Sequence, residues 1–141
     1  MSPILTITQF WGDKLVSKSA VSLGYAIEPF LPNIWDHATL PRAFPPQRSP
    51  SFQPYNLDFT WTDEQFDQDF LDVIKQSTQR IKEAAIRDGQ LGVAEAPVYP
   101  NYALSDTPLE DIYGDNVTKL RMLKERVDPE NVMELTGGFK F

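Results

Sequence analysis

The sequence predicts an α+β fold, in which a small antiparallel sheet of three to four strands is covered by one long helix, with C-terminal helices beside it. Three observations support this fold. Residues 55–61 alternate strictly between apolar and polar, residues 63–88 place apolar side chains at three-and-four spacing, and two N-terminal runs are rich in β-branched and aromatic residues. Because 141 residues suit one core, we expect residues 1–141 to form a single domain.

Composition excludes several classes of protein. The chain has 13 Lys+Arg against 20 Asp+Glu, a net charge of −7, which argues against nucleic-acid binding because that affinity rests on clustered cations. It has no Cys and one His, His37, so disulfides, thiolate metal sites, thiol nucleophiles and two-histidine relays are excluded. No apolar run is long enough for a signal peptide or a membrane span, so we expect the chain as it stands to be cytoplasmic and without a membrane partner, with the compartment open if it is a fragment. The absence of Cys and the single His lead us to expect no metal.

The first two strands are predicted at residues 5–11 and 21–27. Both runs have the composition of a half-buried strand, and the second alternates more cleanly than the first. Gly12 and Asp13 lie between them and predict a turn. From Pro29 to Pro54 the chain then carries seven of its twelve prolines, which predicts a long irregular crossing. Aromatic residues punctuate this crossing and favour an ordered loop.

The third strand, at residues 55–61, is the clearest in the sequence. Its period of two places Tyr55, Leu57, Phe59 and Trp61 on one face. These four large side chains predict the face that is turned to the core.

A long helix is predicted directly after this strand, over residues 63–88. Thr62 and Gln65 have the spacing of a capping box, and Gly89 supplies a stop. The acidic residues of its first half scatter around the helix, so we interpret them as a solvated face rather than a metal site.

Two shorter helices are predicted near the C-terminus. Thr107 and Glu110 form a second capping box, with Pro108 at the first helical position. Residues 114–116 predict a break, and a second helical piece follows with an apolar stripe at Val117, Leu120, Leu123 and Val127. Residues 139–141 are expected to be a tail strand or an extended segment.

Two clusters carry candidate chemistry. Asp36 and His37 are adjacent and could be an acid/base pair, with a surface histidine satisfied by a backbone carbonyl as the alternative. Tyr99, Asn101 and Tyr102 lie on a stiff segment that Pro97 and Pro100 are expected to hold extended, where phenol and amide groups could orient a substrate or relay a proton. Packing of the tyrosines at the rim of a sheet is the alternative there. The glycines match neither a dinucleotide-binding nor a P-loop pattern.

Several segments resemble the C-terminal third of fungal FAD-linked oxidoreductases of the berberine bridge enzyme and hydroxynicotine oxidase type. The segments occur in the family's order across about residues 21–141. They are residues 28–32, 43–49, 88–90, 99–104, 107–110, 113–117, 127–133 and 137–141.

The resemblance implies a substrate domain of secondary metabolism whose antiparallel sheet lies over a flavin. The N-terminal domain with which the family holds FAD has no counterpart in this sequence, so we expect the chain to bind no cofactor. The resemblance also assigns Tyr102 and Tyr99 as possible catalytic groups and Asn101 as a substrate-orienting amide. The region from Glu28 to His37 would supply a substrate-facing strand and its loop.

Three functions remain open at this point. The first is a truncated or split FAD-linked oxidoreductase domain that is not redox-active alone. The second is a free-standing, cofactor-independent cyclase, isomerase or lyase that acts on a natural-product intermediate. The third is a binding or scaffold subunit.

A small-molecule site is expected in a cleft between residues 28–48 and 99–102, where aromatic walls, stiff backbone and a few polar groups would meet. Its candidate catalytic residues are Tyr102, Tyr99, Asp36 and His37, and its candidate substrate-binding residues are Asn101, Glu28, Phe30, Trp35, Phe44 and Arg48. Without a flavin domain the aromatic surface of this cleft would be exposed to solvent. We therefore expect a homodimer, or a partner that covers this face.

Overall fold

A computed structural model describes residues 3–31, 33–34, 37, 40, 42–44 and 53–141, with the backbone alone for residues 3–6. The chain divides into two compact units. The first unit comprises Met1–Phe30 and Phe52–Ala94, and the second comprises Leu31–Ser51 and Glu95–Phe141. Among the described residues, no helix has the length and apolar character needed to cross a bilayer. The expectation of a single domain stays a prediction.

The first unit contains a two-stranded antiparallel sheet and two long helices. In chain order its elements are helix α1 (Pro3–Leu15), a 3₁₀ turn (Val16–Lys18), strand β1 (Ala20–Ile27), strand β2 (Tyr55–Trp61), a second 3₁₀ turn (Glu64–Phe66) and helix α2 (Asp67–Arg87). The α+β class is confirmed, and so are the strands predicted at residues 21–27 and 55–61. The sheet has two strands in the described residues, so the prediction of three to four is wrong.

The missing strand is the predicted one at residues 5–11, which is helical. Ile7, Trp11 and Leu15 recur every four residues along α1 and are all buried. This helical spacing of core side chains outweighs the β propensity of the β-branched residues around them, because tertiary burial contributes more than propensity. The predicted turn at Gly12 and Asp13 is wrong for the same reason, since both residues lie inside α1.

The core of the first unit lies where both helices meet one face of the sheet. Phe59 of β2 and Phe70 and Val73 of α2 join the three buried residues of α1 there. Phe70 is completely buried and stacks on Trp61, with ring centroids 4.5 Å apart and ring planes 5° apart. Burying aromatic side chains of this size is the main source of stability in a unit this small.

The ends of α2 are set by local polar contacts. The Asp63 side chain accepts a hydrogen bond from the Gln65 amide at 3.1 Å, so Asp63 caps the helical segment rather than the predicted Thr62. At the other end Gly89 has φ +75°, and its amide donates to the Ile86 carbonyl at 3.0 Å. The next amide donates to the Ala85 carbonyl at 3.1 Å, which completes a Schellman motif and confirms the predicted stop.

The second unit is built from loops and short helices. Helix α3 (Leu109–Tyr113) and helix α4 (Asn116–Val127) are separated by Gly114 at φ +52°, which confirms the predicted break. A 3₁₀ turn, Val132–Leu135, follows. The predicted capping box before α3 is wrong, because Pro108 rather than Thr107 is the N-cap residue and no side chain caps the helix there.

The apolar stripe of α4 is only partly used for packing. Val117 is buried, whereas Leu123 is 43% exposed and Val127 is 67% exposed. The tail at residues 139–141 forms no strand, and the Phe141 ring lies 5.4 Å from the Tyr113 ring. The second unit therefore buries fewer apolar side chains than its sequence pattern predicts.

Candidate functional site

The predicted site segment forms a tight turn in the second unit, so the prediction that its prolines hold it extended is wrong. The Tyr102 amide donates to the Tyr99 carbonyl at 3.0 Å, and Pro100 lies inside this turn. The turn brings the two tyrosine rings together edge to face, with centroids 5.0 Å apart and planes at 77°. A proline-braced turn presents such side chains with little conformational entropy left to lose on binding.

A polar group adjoins this aromatic pair. The Asn101 side-chain amide donates to the Tyr99 hydroxyl oxygen at 3.0 Å. This bond orients the phenol of Tyr99. The Phe44 ring lies 5.6 Å from the Tyr99 ring, so the structure brings Phe44, Tyr99, Asn101 and Tyr102 together. We call these four residues the aromatic cluster.

Two contacts from the helices hold the aromatic cluster in place. The Val98 amide donates to the Asp111 carbonyl at 2.8 Å, which ties the start of the turn to α3. The Asn116 side chain donates to the Ala43 carbonyl at 3.1 Å, beside Phe44. Asn116 is thus a positioning residue that sequence reasoning treated only as part of a helix break. An amide directly after a Gly-Asp pair at the start of a helix was the signal that could have found it.

The remaining predicted site residues are distributed differently. His37 is exposed in a turn of the second unit. Glu28 and Phe30 belong to the first unit, where the Glu28 amide donates to the Pro54 carbonyl at 2.9 Å and continues the β1–β2 ladder. Three predicted site residues lie outside the described residues: Trp35, Asp36 and Arg48. The acid/base pair and the cleft reaching residue 28 therefore stay predictions.

The loop after α4 is ordered by a single carboxylate. The Asp128 side chain accepts hydrogen bonds from the Val132 amide at 2.7 Å and the Met133 amide at 3.1 Å, and its oxygen lies 3.6 Å from the Lys124 Nζ atom. Burial alone would raise the pKa of Asp128, but these two amides and Lys124 hold that pKa below its usual value. The carboxylate acts as a cap for the following 3₁₀ turn.

A shallow pocket of about 320 Å³ lies in the first unit, between α1 and α2. Lys18 and Asp69 face each other across it in an ion pair of 2.7 Å. Trp11 also lines this pocket, and its indole Nε1 atom is buried without a hydrogen-bond partner. Because that nitrogen is closed to solvent, a pocket ligand could not reach it without rearrangement of the indole. Within the described part of the chain, no cluster of metal-ligating side chains occurs.

One comparison with known proteins bears on the second unit. Residues 98–137 match the family model described as berberine and berberine like. The matched segment begins just before the tyrosine turn and contains both helices of the second unit and the Asp128 loop. It makes up less than a third of the 141 residues. No curated protein and no solved structure matches the chain.

Helices α2, α3 and α4 do not offer the anion site at which a dinucleotide pyrophosphate often binds. Exposed amides at a helix N-terminus form such a site, and carboxylates at the same place oppose it. Acidic side chains stand instead at the start of each helix after β2: Asp63 and Asp67 at α2, Glu110 and Asp111 at α3, and Asp115 at α4. We therefore derive no step that passes through a flavin held by these residues.

Proposed function

We propose that this chain carries the substrate-side part of an FAD-linked oxidoreductase of the berberine bridge type, and that it is not redox-active alone. In this proposal the aromatic cluster binds an aromatic small molecule, a natural-product intermediate, and FAD is held by polypeptide other than this chain. The observation that carries the proposal is the match of residues 98–137 together with the packed tyrosine turn inside it.

The chemistry of the aromatic cluster supports this role. Offset and edge-to-face ring contacts favour a flat aromatic ligand, because the ligand edge can meet a ring face and the ligand face a ring edge. Tyr99 would donate its phenol proton to a carbonyl or phenolate oxygen of that ligand, while Asn101 holds the phenol oxygen from the other side. Tyr102 would supply a second wall and a second hydroxyl.

The first experiment tests whether this chain binds FAD by itself. We expect the purified chain to be colourless and to bind no stoichiometric FAD in equilibrium dialysis, because helix N-termini that carry carboxylates repel the pyrophosphate. Flavin that remains bound in a one-to-one ratio after gel filtration would contradict this part of the proposal.

The second experiment tests the binding surface. A panel of phenolic and N-heteroaromatic compounds is titrated into the chain labelled with ¹³C in its aromatic rings, and the ring signals of Tyr99, Tyr102 and Phe44 are followed. We expect saturable shifts of these rings. Tyr99→Phe should weaken binding of oxygen-bearing compounds about tenfold, the effect of losing one hydrogen bond of about 1.4 kcal/mol, and should leave apolar analogues unaffected.

Tyr113→Phe is the matched control for this experiment. Tyr113 lies in the same unit and contacts Phe141, but it does not belong to the aromatic cluster. An equal loss of affinity in both variants, or shifts confined to rings outside the cluster, would refute the assignment.

A cofactor-independent cyclase, isomerase or lyase is the second candidate. It is favoured by the oriented phenol, since hydrogen-bond donors on a rigid segment can promote such reactions without a redox group. Incubating the same panel with the chain in the absence of flavin, followed by mass spectrometry, separates the candidates. An isomer or elimination product that Tyr99→Phe abolishes and Tyr113→Phe retains would favour the second candidate.

A further inference from the structure

The edge of β1 that faces away from β2 carries backbone groups with no backbone partner in the described part of the chain. The Glu28 amide bonds to the Pro54 carbonyl, so this pair is a hydrogen-bonded one, and the same register continues from Ile27 back to Ser22, before the β-bulge between Ala20 and Ser22. Hydrogen-bonded and non-hydrogen-bonded pairs alternate in an antiparallel ladder. The N–H and C=O groups that point outward are therefore those of Leu23, Tyr25 and Ile27.

From Ser22 to Ile27 this edge lacks the features that prevent strand pairing, whereas a β-bulge lies between Ala20 and Ser22 at its start. Natural edge strands are protected by charged side chains, prolines, β-bulges or extreme shortness. β1 has eight residues, none of them charged and none of them proline. At its two ends Val21 is 64% exposed and Ile27 is 56% exposed. β2, in contrast, carries an exposed Asp58 in its middle.

We propose that β1 pairs edge to edge with β1 of a second copy of this chain, which forms an antiparallel four-stranded sheet across a two-fold axis. A two-fold axis lets one uncharged edge satisfy its own copy, as in most homodimers. Residues opposite each other in the new ladder share a face, so the Leu23 and Tyr25 face continues across both copies and both helix layers lie on the same side. The inference does not depend on the proposed function.

The choice of a second copy rests on charge and on strand number. Each chain carries a net charge of −7, which opposes indiscriminate association, yet β1 itself brings no charge into the contact. The helices packed on the two-stranded sheet already stabilise it, and a third and fourth strand would extend its paired backbone. The second copy supplies both of those strands at once.

Light scattering and amide exchange on the full chain test the proposal together. As the protein concentration increases across a dilution series, we expect the mass to rise from 16.1 kDa to twice that value. The amides of Leu23, Tyr25 and Ile27 should become protected from hydrogen exchange in the dimer. The amides of Gly24 and Ala26 bond to β2 and should be protected at every concentration, which provides an internal control.

Two substitutions block the edge without touching the buried core. Val21→Lys adds a charge at one end. Ile27→Pro removes an outward N–H and keeps the preceding residue extended. Each should raise the concentration of half-dissociation about tenfold or more, the equivalent of about 1.4 kcal/mol. Leu91→Lys makes the same apolar-to-cation change at a side chain that is 86% exposed in the same unit, and it should leave the mass unchanged.

The outcomes distinguish pairing of the β1 edge with a second copy from every other way in which this edge could be covered. A chain that stays at the monomer mass with rapid exchange at Leu23, Tyr25 and Ile27 overturns the proposal. A monomer with those amides protected also overturns it, because another part of the same chain then covers the edge. If Val21→Lys and Leu91→Lys leave the dimer equally intact, the interface lies elsewhere and the proposal is overturned. If Ile27→Pro fails to fold, Val21→Lys alone tests the edge.

Discussion

The two units of this chain are stabilised by different kinds of contact. The first unit packs large apolar side chains from α1, β2 and α2 around Phe70. The second unit has Ile112 and Val117 as its buried hydrophobic residues within the described ranges, and it is ordered by side chains that bond to backbone groups. The candidate site therefore lies on the part of the chain where polar positioning contributes more than packing.

Both units leave large apolar side chains exposed. In the second unit six apolar side chains of α4 and the following 3₁₀ turn are exposed: Met122, Leu123, Val127, Val132, Met133 and Leu135. One hydrogen bond from a side chain contributes about 1 kcal/mol to the free energy of unfolding, whereas burial of an aromatic ring contributes several. We therefore expect the largest loss of stability in the first unit on removal of a packed apolar side chain, and in the second unit on removal of a polar contact.

Phe70→Ala should have the largest effect and tests the packing side of the comparison. Phe70 is fully buried and stacked on Trp61, so its removal leaves a cavity and lowers the free energy of unfolding by about 3–5 kcal/mol. Urea unfolding followed by circular dichroism measures this loss. Ile86→Ala, at a side chain 45% exposed on the same helix, is the control and should change little. Similar losses in both variants would mean that the core is not centred on Phe70.

The next largest loss of stability is expected at a polar contact in the core of the first unit. The Tyr25 hydroxyl lies 3.1 Å from the Ser77 Oγ atom, and Ser77 is fully buried. Tyr25→Phe leaves that buried hydroxyl without its partner and should cost about 1–3 kcal/mol. Adding Ser77→Ala to Tyr25→Phe should recover part of the loss in a double-mutant cycle, because neither polar group then remains. Strict additivity would show that the pair is not coupled.

The same tyrosine predicts how stability changes in alkali. Burial raises the pKa of Tyr25, and the hydrogen bond with Ser77 opposes this rise only in part. Because the folded-state pKa exceeds that of the unfolded chain, the stabilisation is complete below pH 10.0 and is lost as the pH rises through the folded-state pKa. Thermal melts across this range should show a steeper decline for the natural sequence than for Tyr25→Phe. Parallel declines would refute the assignment.

Asn116→Ala tests the polar side of the comparison. Without the Asn116 amide, the carbonyl of Ala43 loses its donor, and Phe44 should move away from Tyr99. We expect a loss of about 1 kcal/mol and the disappearance of nuclear Overhauser contacts between the Phe44 and Tyr99 rings. Thr118→Ala, at an exposed position on the same helix, should preserve those contacts. Intact ring contacts in Asn116→Ala would show that packing alone holds the cluster.

The smallest effect is expected at Asp128, where the pH dependence of the loop tests the polar contacts of the second unit. Because the pKa of Asp128 is lowered in the folded chain, its contribution is present above the ordinary value of 3.8 and is lost as the pH falls through the folded-state pKa. The amide shifts of Val132 and Met133 should titrate together below pH 3.8. Asp128→Asn should remove this titration, and a midpoint above 3.8 in the natural sequence would contradict the assignment.

Much of the architecture could be predicted from local pattern. The alternation of residues 55–61 predicted β2 with its observed bounds, and the periodicity of residues 63–88 predicted α2 together with the stop at Gly89. These elements were predictable because a period of two or of 3.6 is built into the backbone geometry. The aromatic pairing of Tyr99 and Tyr102 is not among these elements, because the two prolines predicted an extended segment, whereas Pro100 lies in a turn that brings the two rings together.

Tertiary structure decided the rest. The segment at residues 5–11 has strand composition, but the burial of Ile7, Trp11 and Leu15 against the sheet makes it a helix. Local pattern likewise could not show that Asn116 holds the carbonyl of Ala43, because that bond joins residues 73 positions apart. Propensity and spacing act over a few neighbouring residues, whereas the free energy that selects between a strand and a helix, or positions a distant side chain, comes from contacts that exist only after the chain has folded.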